Sequence, residues 1–347
     1  MKILVFGAGV LGSYLCHVLC ENGHEVDIAA RGERLKELEH GGLVIEHWLQ
    51  KQTTVDHPNV ISAVPANAHY DAVFSVMQYG QTRAALGTLA AIDTPLLVLV
   101  GNNLCAECME QQIFEHEFEH GCEAACELEH GFEHAPRDFE HGGEKTVLFG
   151  FSATAGRREK GKIICFRKGS GTLTCGAAGR EASAEAKARL DAIFTGGYKP
   201  CWQPDMDAWL KCHAAYILPI VYLCYATGCN LRKSTAGQRR LCLAATAKAY
   251  DLLKLLGYPI LPAGDDEFFK PGAKMLYMRL FMWAVAKTKL GDIVVSDHCR
   301  AAAAEMRELD AAFAKLRRRK PGFGMPAWEK LRKAMPDWDA VEKIYAK

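Results

Sequence analysis

The sequence has no excess of either charge sign: 42 lysines and arginines stand against 41 aspartates and glutamates in 347 residues, a formal net charge of +1. No global field therefore steers it to nucleic acid or to an anionic membrane. Its longest basic run, residues 317–320 (RRRK), has no interleaved aromatic platforms and reads as the solvated end of a helix. Long apolar runs are missing as well. The longest, residues 216–226, is about half of the roughly 20 residues needed to span a bilayer, which argues against a membrane segment and predicts a buried helix. No charged leader with an apolar core and cleavage site precedes the first strand. Cysteine, by contrast, is plentiful at fourteen, and without such a leader the thiols are expected to be reduced, in a cytoplasmic protein. With 49% apolar residues the chain can fill two ordinary cores.

What is present begins at once. Residues 1–6 (MKILVF) are a β-branched run that meets Gly7-Ala8-Gly9-Val10-Leu11-Gly12, a strand feeding a helix through a turn shaped for a dinucleotide pyrophosphate. Gly7 permits the tight turn, Gly9 removes the side chain that would block the phosphates, and Gly12 lets the helix lie close on the strand. The helix N-terminus then faces the phosphates with unpaired N–H groups. A second strand at residues 25–30 ends in Arg31, with Arg34 and Lys36 just beyond. A carboxylate there would grip an unphosphorylated ribose, whereas a guanidinium pairs with a 2′-phosphate, so the expected cofactor is NADPH.

Further apolar strands are expected at 43–45, within 52–60, at 70–76 and at 95–100, with a helix from about 79. Near-continuous apolar strands separated by helices indicate a parallel sheet covered on both faces. Such sheets bind ligands beyond the carboxyl ends of their strands, where Gly7, Arg31, Gln78 and Asn102 all fall. Strands at 146–150, 162–166 and 171–176 are expected to be antiparallel edge strands closing this first domain. Helices follow near 181–195, 206–225, 234–256 and 272–289, with a long one at about 296–316, making the second domain all-helical. The expected division is a dinucleotide-binding domain over 1–178 and a helical substrate and dimerisation domain over 179–347, with the substrate cleft between them.

Residues 112–144 interrupt the pattern with Glu-His and Phe-Glu-His units, including His116, His120, His130, His134 and His141. With Cys105, Cys108, Cys122 and Cys126 they have the chemistry of a zinc site, and Cys105-x-x-Cys108 has usable spacing. The ligands are too many and too evenly spread to define one tetrahedral set. An irregular surface insertion without metal is the expectation.

Taken in order, the Gly7–Gly12 motif, Ala30-Arg31, Gly42-Leu43-Val44-Ile45, Gly101-Asn102-Asn103 with Glu107, Leu173-Thr174-Cys175-Gly176, Trp209-Leu210-Lys211, and Glu305 about twenty residues before Pro326 resemble the ketopantoate reductase (2-dehydropantoate 2-reductase) family. The resemblance implies an α/β Rossmann-type N-terminal domain, an all-helical C-terminal domain, and NADPH-dependent reduction of a small 2-keto acid to a 2-hydroxy acid. It implies catalytic roles for Lys211, matching the family's lysine in its W-x-K segment, for Asn102 and for Glu305. There are departures. Gln78, counted among the cofactor-binding residues, stands where many members have lysine; Ala215 replaces an asparagine one helical turn after Lys211; and a serine before Glu305 is missing, with Ser296 or His298 the nearest polar substitutes. His213 and Tyr216 read as partly buried packing residues beside Lys211. A homodimer through the helical domain is compatible with the pattern. The departures motivate a second reading, a non-catalytic NADP(H)-binding sensor or scaffold.

Overall fold

The computed structural model describes residues 1–118 and 145–345. The chain runs β1 (Lys2–Phe6), α1 (Val10–Glu21), β2 (Glu25–Ala29), α2 (Gly32–Gly41), β3 (Leu43–His47), β4 (Gln52–Asp56), β5 (Asn59–Ile61), β6 (Ala72–Val76), α3 (Tyr79–Ala84), α4 (Leu86–Ala90), β7 (Leu96–Val100) and α5 (Ala106–Phe118). It resumes with β8 (Thr146–Ser152), β9 (Thr154–Glu159), β10 (Lys162–Arg167), β11 (Thr172–Gly176), α6 (Ala184–Ile193) and β12 (Lys199–Trp202). The remainder is helical: α7 (Met206–Ala226), α8 (Ala236–Leu255), α9 (Ala273–Lys287), α10 (Lys289–Gly291), a π-helical turn (Asp292–Ser296), α11 (Asp297–Ala301), α12 (Ala303–Arg318), α13 (Pro326–Ala334) and α14 (Trp338–Tyr345), with short 3-10 turns between.

An eight-stranded sheet in the order β12-β11-β8-β7-β6-β1-β2-β5 forms the centre of the α/β part, parallel throughout except between β8 and β11. Because side chains alternate across a strand, its residues divide between two cores. Ile3, Val5, Phe74 and Val98 belong to one cluster under α1 and α6; Leu4, Phe6, Val73, Leu97 and Leu99 belong to another that runs on into the helices of the C-terminal region. Burying each such side chain stabilises the fold by about 1.5–3 kcal/mol, so a sheet apolar on both faces must be covered on both.

Several sequence expectations need correction. The strand at 146–150 is not an antiparallel edge strand: β8 lies inside the main sheet and pairs in parallel with β7. The strand at 162–166 does not edge the main sheet: β9 and β10 form a hairpin through Lys160 and Gly161, both at positive φ, and β10 pairs in parallel with β3 in a separate four-stranded sheet, β4-β3-β10-β9. The main sheet continues past residue 178, because β12 pairs in parallel with β11; Pro200 is tolerated there because β12 is an edge strand. The helix expected at 296–316 is interrupted at Ala302 (φ −132°, ψ 38°), which starts α12 anew and puts Glu305 in its first turn.

The helical region is organised around α7. Asp205 caps it by accepting the Ala208 N–H at 3.0 Å and also takes the Gly179 N–H at 3.0 Å, tying the helix start to the end of the sheet. Farther along, Tyr222 donates to the buried Asp310 at 2.6 Å, and Arg332 and Trp338 donate to the same carboxylate at 2.9 and 2.7 Å, so one acid on α12 gathers α7, α13 and α14.

Between α1 and the small sheet lies His47, fully buried, with Nε2 at 2.9 Å from the Thr54 hydroxyl and Nδ1 3.2 Å from Arg167. Burial first, then the Arg167 and His17 charges against a smaller opposing effect of Asp56, pushes its pKa from 6.5 down to about 4. The unfolded chain therefore binds a proton that the folded chain refuses between those values. The contribution of neutral His47 is intact above about pH 6.5 and is lost as pH falls through about 4, on the order of 3 kcal/mol in all. Denaturation midpoints measured from pH 7 to 4 should fall, and His47→Gln should flatten that fall; an unchanged slope in the variant would contradict the assignment.

Candidate active site

The glycine loop leaves β1 and enters α1. A Cβ on Gly12 would lie 1.9 Å from the Gly7 carbonyl oxygen, and one on Gly7, itself at φ +124°, 2.4 Å from the Val76 carbonyl oxygen. Those two glycines are demanded by the chain's own close approaches. Gly9 is different: its φ of −72° suits any residue, and nothing lies within 4 Å of where its Cβ would be. No side chain caps the helix that begins there. Open space over an uncapped helix N-terminus is what a pyrophosphate requires, so the Gly7–Gly12 loop, with Ala8, Val10 and Leu11, fits a dinucleotide.

Arg31, at the end of β2, is exposed, and among the described residues no hydrogen bond or ion pair holds its guanidinium. Arg34 does not join it. Its side chain turns inward, donating to the Ala8 carbonyl (3.2 Å), the Gly161 carbonyl (3.0 Å) and the Ser13 hydroxyl (3.1 Å), so it braces the glycine loop instead of adding charge for a phosphate. Gln78 is the half-buried residue before α3. Its backbone N–H meets Gln81 Oε1 at 3.4 Å and its carbonyl accepts from Thr82.

Asn102 follows β7, which is parallel to β1 with β6 between them, so its loop lies at the same end of the sheet as the glycine loop. Glu305 reaches it across 203 residues of sequence: Oε1 accepts the Asn102 amide at 3.1 Å and the Tyr79 backbone N–H at 3.4 Å, and the carboxylate is 4% exposed. This contact fixes the amide's orientation, since an acceptor must face the NH2 group. The consequence is that Asn102 Oδ1 points elsewhere, and it is buried with no hydrogen-bond partner. A buried acceptor without a donor costs about 1–3 kcal/mol, and a bound ligand's N–H or O–H would satisfy it. Glu305 Oε2 also lies 3.6 Å from His298 Nε2.

Lys211 is 4% exposed on α7. Its ammonium pairs with Asp207 one turn earlier and lies 4.6 Å from the centre of the Tyr258 ring, while Asp207 Oδ1 accepts the Ala106 N–H at the start of α5. Burial favours the neutral amine, but Asp207, Tyr258 and Cys105 together outweigh it and raise the pKa above the usual lysine value. The group is thus held as a cation. No direct contact links it to Asn102 or Glu305: the structure joins those two, and sets Lys211 beside the loop that carries Asn102.

The remaining polar positions separate clearly. Ser296 is fully buried and accepts the Cys224 thiol, so of the two polar substitutes it is His298 that reaches Glu305. Ala215 is part of the core. His213 is stacked on Trp209 at 5.2 Å and 6° and tilted against Phe151 at 4.2 Å; burial, then the His298 charge, lowers its pKa to about 4. Tyr216 packs edge-on against Phe269. The Asp207–Lys211 and Trp209–His213 pairs were readable as i, i+4 neighbours on a helix; the His298–Glu305 pair, across a break in the helix, was not. Most of the Glu/His-rich segment, with Cys122, Cys126 and the histidines from His120 to His141, lies outside the described residues.

Residues 3–180 match the family model described as ketopantoate reductase PanE/ApbA. The chain belongs to the ketopantoate reductase family. At that level it is an NAD(P)H-dependent oxidoreductase of the 2-keto/2-hydroxy acid class. No curated protein matches the sequence. Among solved structures, a D-mandelate dehydrogenase with NADH and anilino(oxo)acetate is similar over 99% of each chain at 15% identity and a TM-score of 0.71. A PanE/ApbA family ketopantoate reductase from Ralstonia eutropha JMP134 covers 100% of each chain at 17% identity and 0.69. A 2-dehydropantoate 2-reductase from Methylococcus capsulatus covers 100% of this chain and 98% of its own at 14% identity and 0.67. At such identities the likeness is one of fold. No helix among the described residues is long and apolar enough to cross a membrane.

Proposed function

We propose that this family member reduces a small 2-keto acid to the 2-hydroxy acid with NADPH, at the C-terminal edge of β1, β6 and β7. What supports the reading is the buried, unpartnered Asn102 Oδ1, turned away from Glu305 at the same sheet edge as a glycine loop with open space over Gly9. NADPH, when bound, supplies the hydride. The chain's own contribution is electrostatic: a cation must attract the substrate carboxylate and stabilise the alkoxide developing on the ketone oxygen, and Lys211, held protonated by Asp207, has that role. Asn102 accepts a hydrogen bond from ligand or substrate, and Glu305 keeps its amide in register. 2-Dehydropantoate is one member of that substrate class. The homodimer belongs to the same reading, through the apolar face that α9 exposes with Leu276, Leu280 and Trp283.

Following NADPH oxidation across a panel of branched and aromatic 2-keto acids tests this reading. Turnover of at least one of them is expected; tight NADPH binding with turnover of none would favour the sensor. Cofactor preference is a separate prediction. The unpaired Arg31 guanidinium should favour NADPH over NADH, and Arg31→Ala should remove that preference by weakening NADPH roughly tenfold to a hundredfold, the worth of charge-assisted hydrogen bonds of about 1.5–3 kcal/mol. Equal dissociation constants for the two cofactors in the unaltered protein would contradict it.

A further inference from the structure

The Cys105-x-x-Cys108 pair is unused by the proposed reaction. Cys105 is the residue immediately before α5, and its carbonyl accepts the Met109 N–H at 3.0 Å, which closes the first helical turn. That turn brings Cys108 onto the same face, where it hydrogen-bonds the Cys105 sulfur. Both residues are partly exposed and neither is in a disulfide. Asp207 on α7 accepts the N–H of Ala106, the residue after Cys105, and holds the Lys211 ammonium beside this turn; Glu107 sits in the first turn of α5 itself. The arrangement has the elements that activate a thiol: a neighbouring donor, a nearby cation and a helix N-terminus.

We propose that Cys105 and Cys108 form a thiol–disulfide exchange site, with Cys105 the attacking thiolate and Cys108 the resolving thiol, acting on a small-molecule disulfide of the glutathione class. Cys105 sulfur attacks one sulfur of that disulfide, the S–S bond breaks, and the first small thiolate leaves. Cys108 gives up its proton to that thiolate and attacks the Cys105 sulfur, forming the internal disulfide and expelling the second small thiolate. The protein loses two electrons and the small disulfide is reduced to two thiols. The Cys108 hydrogen bond lowers the Cys105 pKa to about 7 against burial, with Lys211 assisting and Asp207 opposing. By contrast burial raises the thiols of Cys212 and Cys165 to about 12, and they should be inert.

The test is to incubate the full chain with oxidised glutathione and map cysteines by peptide mass spectrometry after alkylation. The expected result is an internal Cys105–Cys108 disulfide in the unaltered protein, a glutathione adduct persisting on Cys105 in Cys108→Ser, and none on this segment in Cys105→Ser. Independently of any variant, iodoacetamide labelling of Cys105 should rise with a midpoint near pH 7, well below that of an ordinary thiol. Unmodified Cys105 and Cys108 while other cysteines react, or labelling with an ordinary thiol midpoint, would overturn the proposal.

Discussion

Lys211→Ala should lower NADPH-dependent turnover of the 2-keto acid by roughly 10²–10³-fold, the worth of one preorganised donor at a developing oxyanion, while leaving NADPH binding unchanged. The same substitution has a structural cost. Asp207 is 1% exposed, and without the ammonium its charge is left with the Ala106 N–H alone; breaking such a buried pair costs about 3–5 kcal/mol. A second variant separates the two effects. In Asp207→Asn/Lys211→Ala the amide oxygen still accepts from Ala106 and no orphan charge remains, so the denaturation midpoint should recover while turnover does not. Recovery of turnover with stability would mean that Lys211 serves only to neutralise Asp207.

Gly9→Val should leave the fold intact and raise the NADPH dissociation constant on the order of a hundredfold, because its side chain would occupy the space a pyrophosphate needs. Gly12→Ala should do the reverse. Its Cβ would stand 1.9 Å from the Gly7 carbonyl, so α1 must shift, at about 1–3 kcal/mol of stability. Thermal melts and fluorescence titrations of the two variants should therefore rank oppositely. A Gly9→Val protein that binds NADPH normally would remove the cofactor from this loop.

The opening strand, glycine loop and helix were legible because local periodicity and glycine placement carry them: β1, α1 and β2 lie where the pattern puts them. The edge strand β12 was not, since its Lys-Pro-Cys-Trp sequence has neither alternation nor β-branching and is held by pairing with β11. Arg34 illustrates a second limit. Position near the cofactor suggested a phosphate partner, but a guanidinium can equally satisfy inward carbonyls, and only tertiary structure reveals which. The break at Ala302 occurs inside an alanine run with high helical propensity, so nothing local announces it. Asn102 and Glu305 could be named from the family resemblance, whereas their hydrogen bond depends on the helical region meeting the sheet edge. His298 entered only as a polar substitute, and its nearness to Glu305 comes from the turn between α11 and α12.

The most direct test of the central claim is to supply NADPH deuterated at the transferable C4 position together with 2-keto acids and to analyse the products by mass spectrometry. The account predicts a 2-hydroxy acid carrying deuterium at C2, formed by the unaltered protein and strongly diminished with Asp207→Asn/Lys211→Ala. Stoichiometric NADPH binding with no labelled hydroxy acid from any keto acid tested would contradict it.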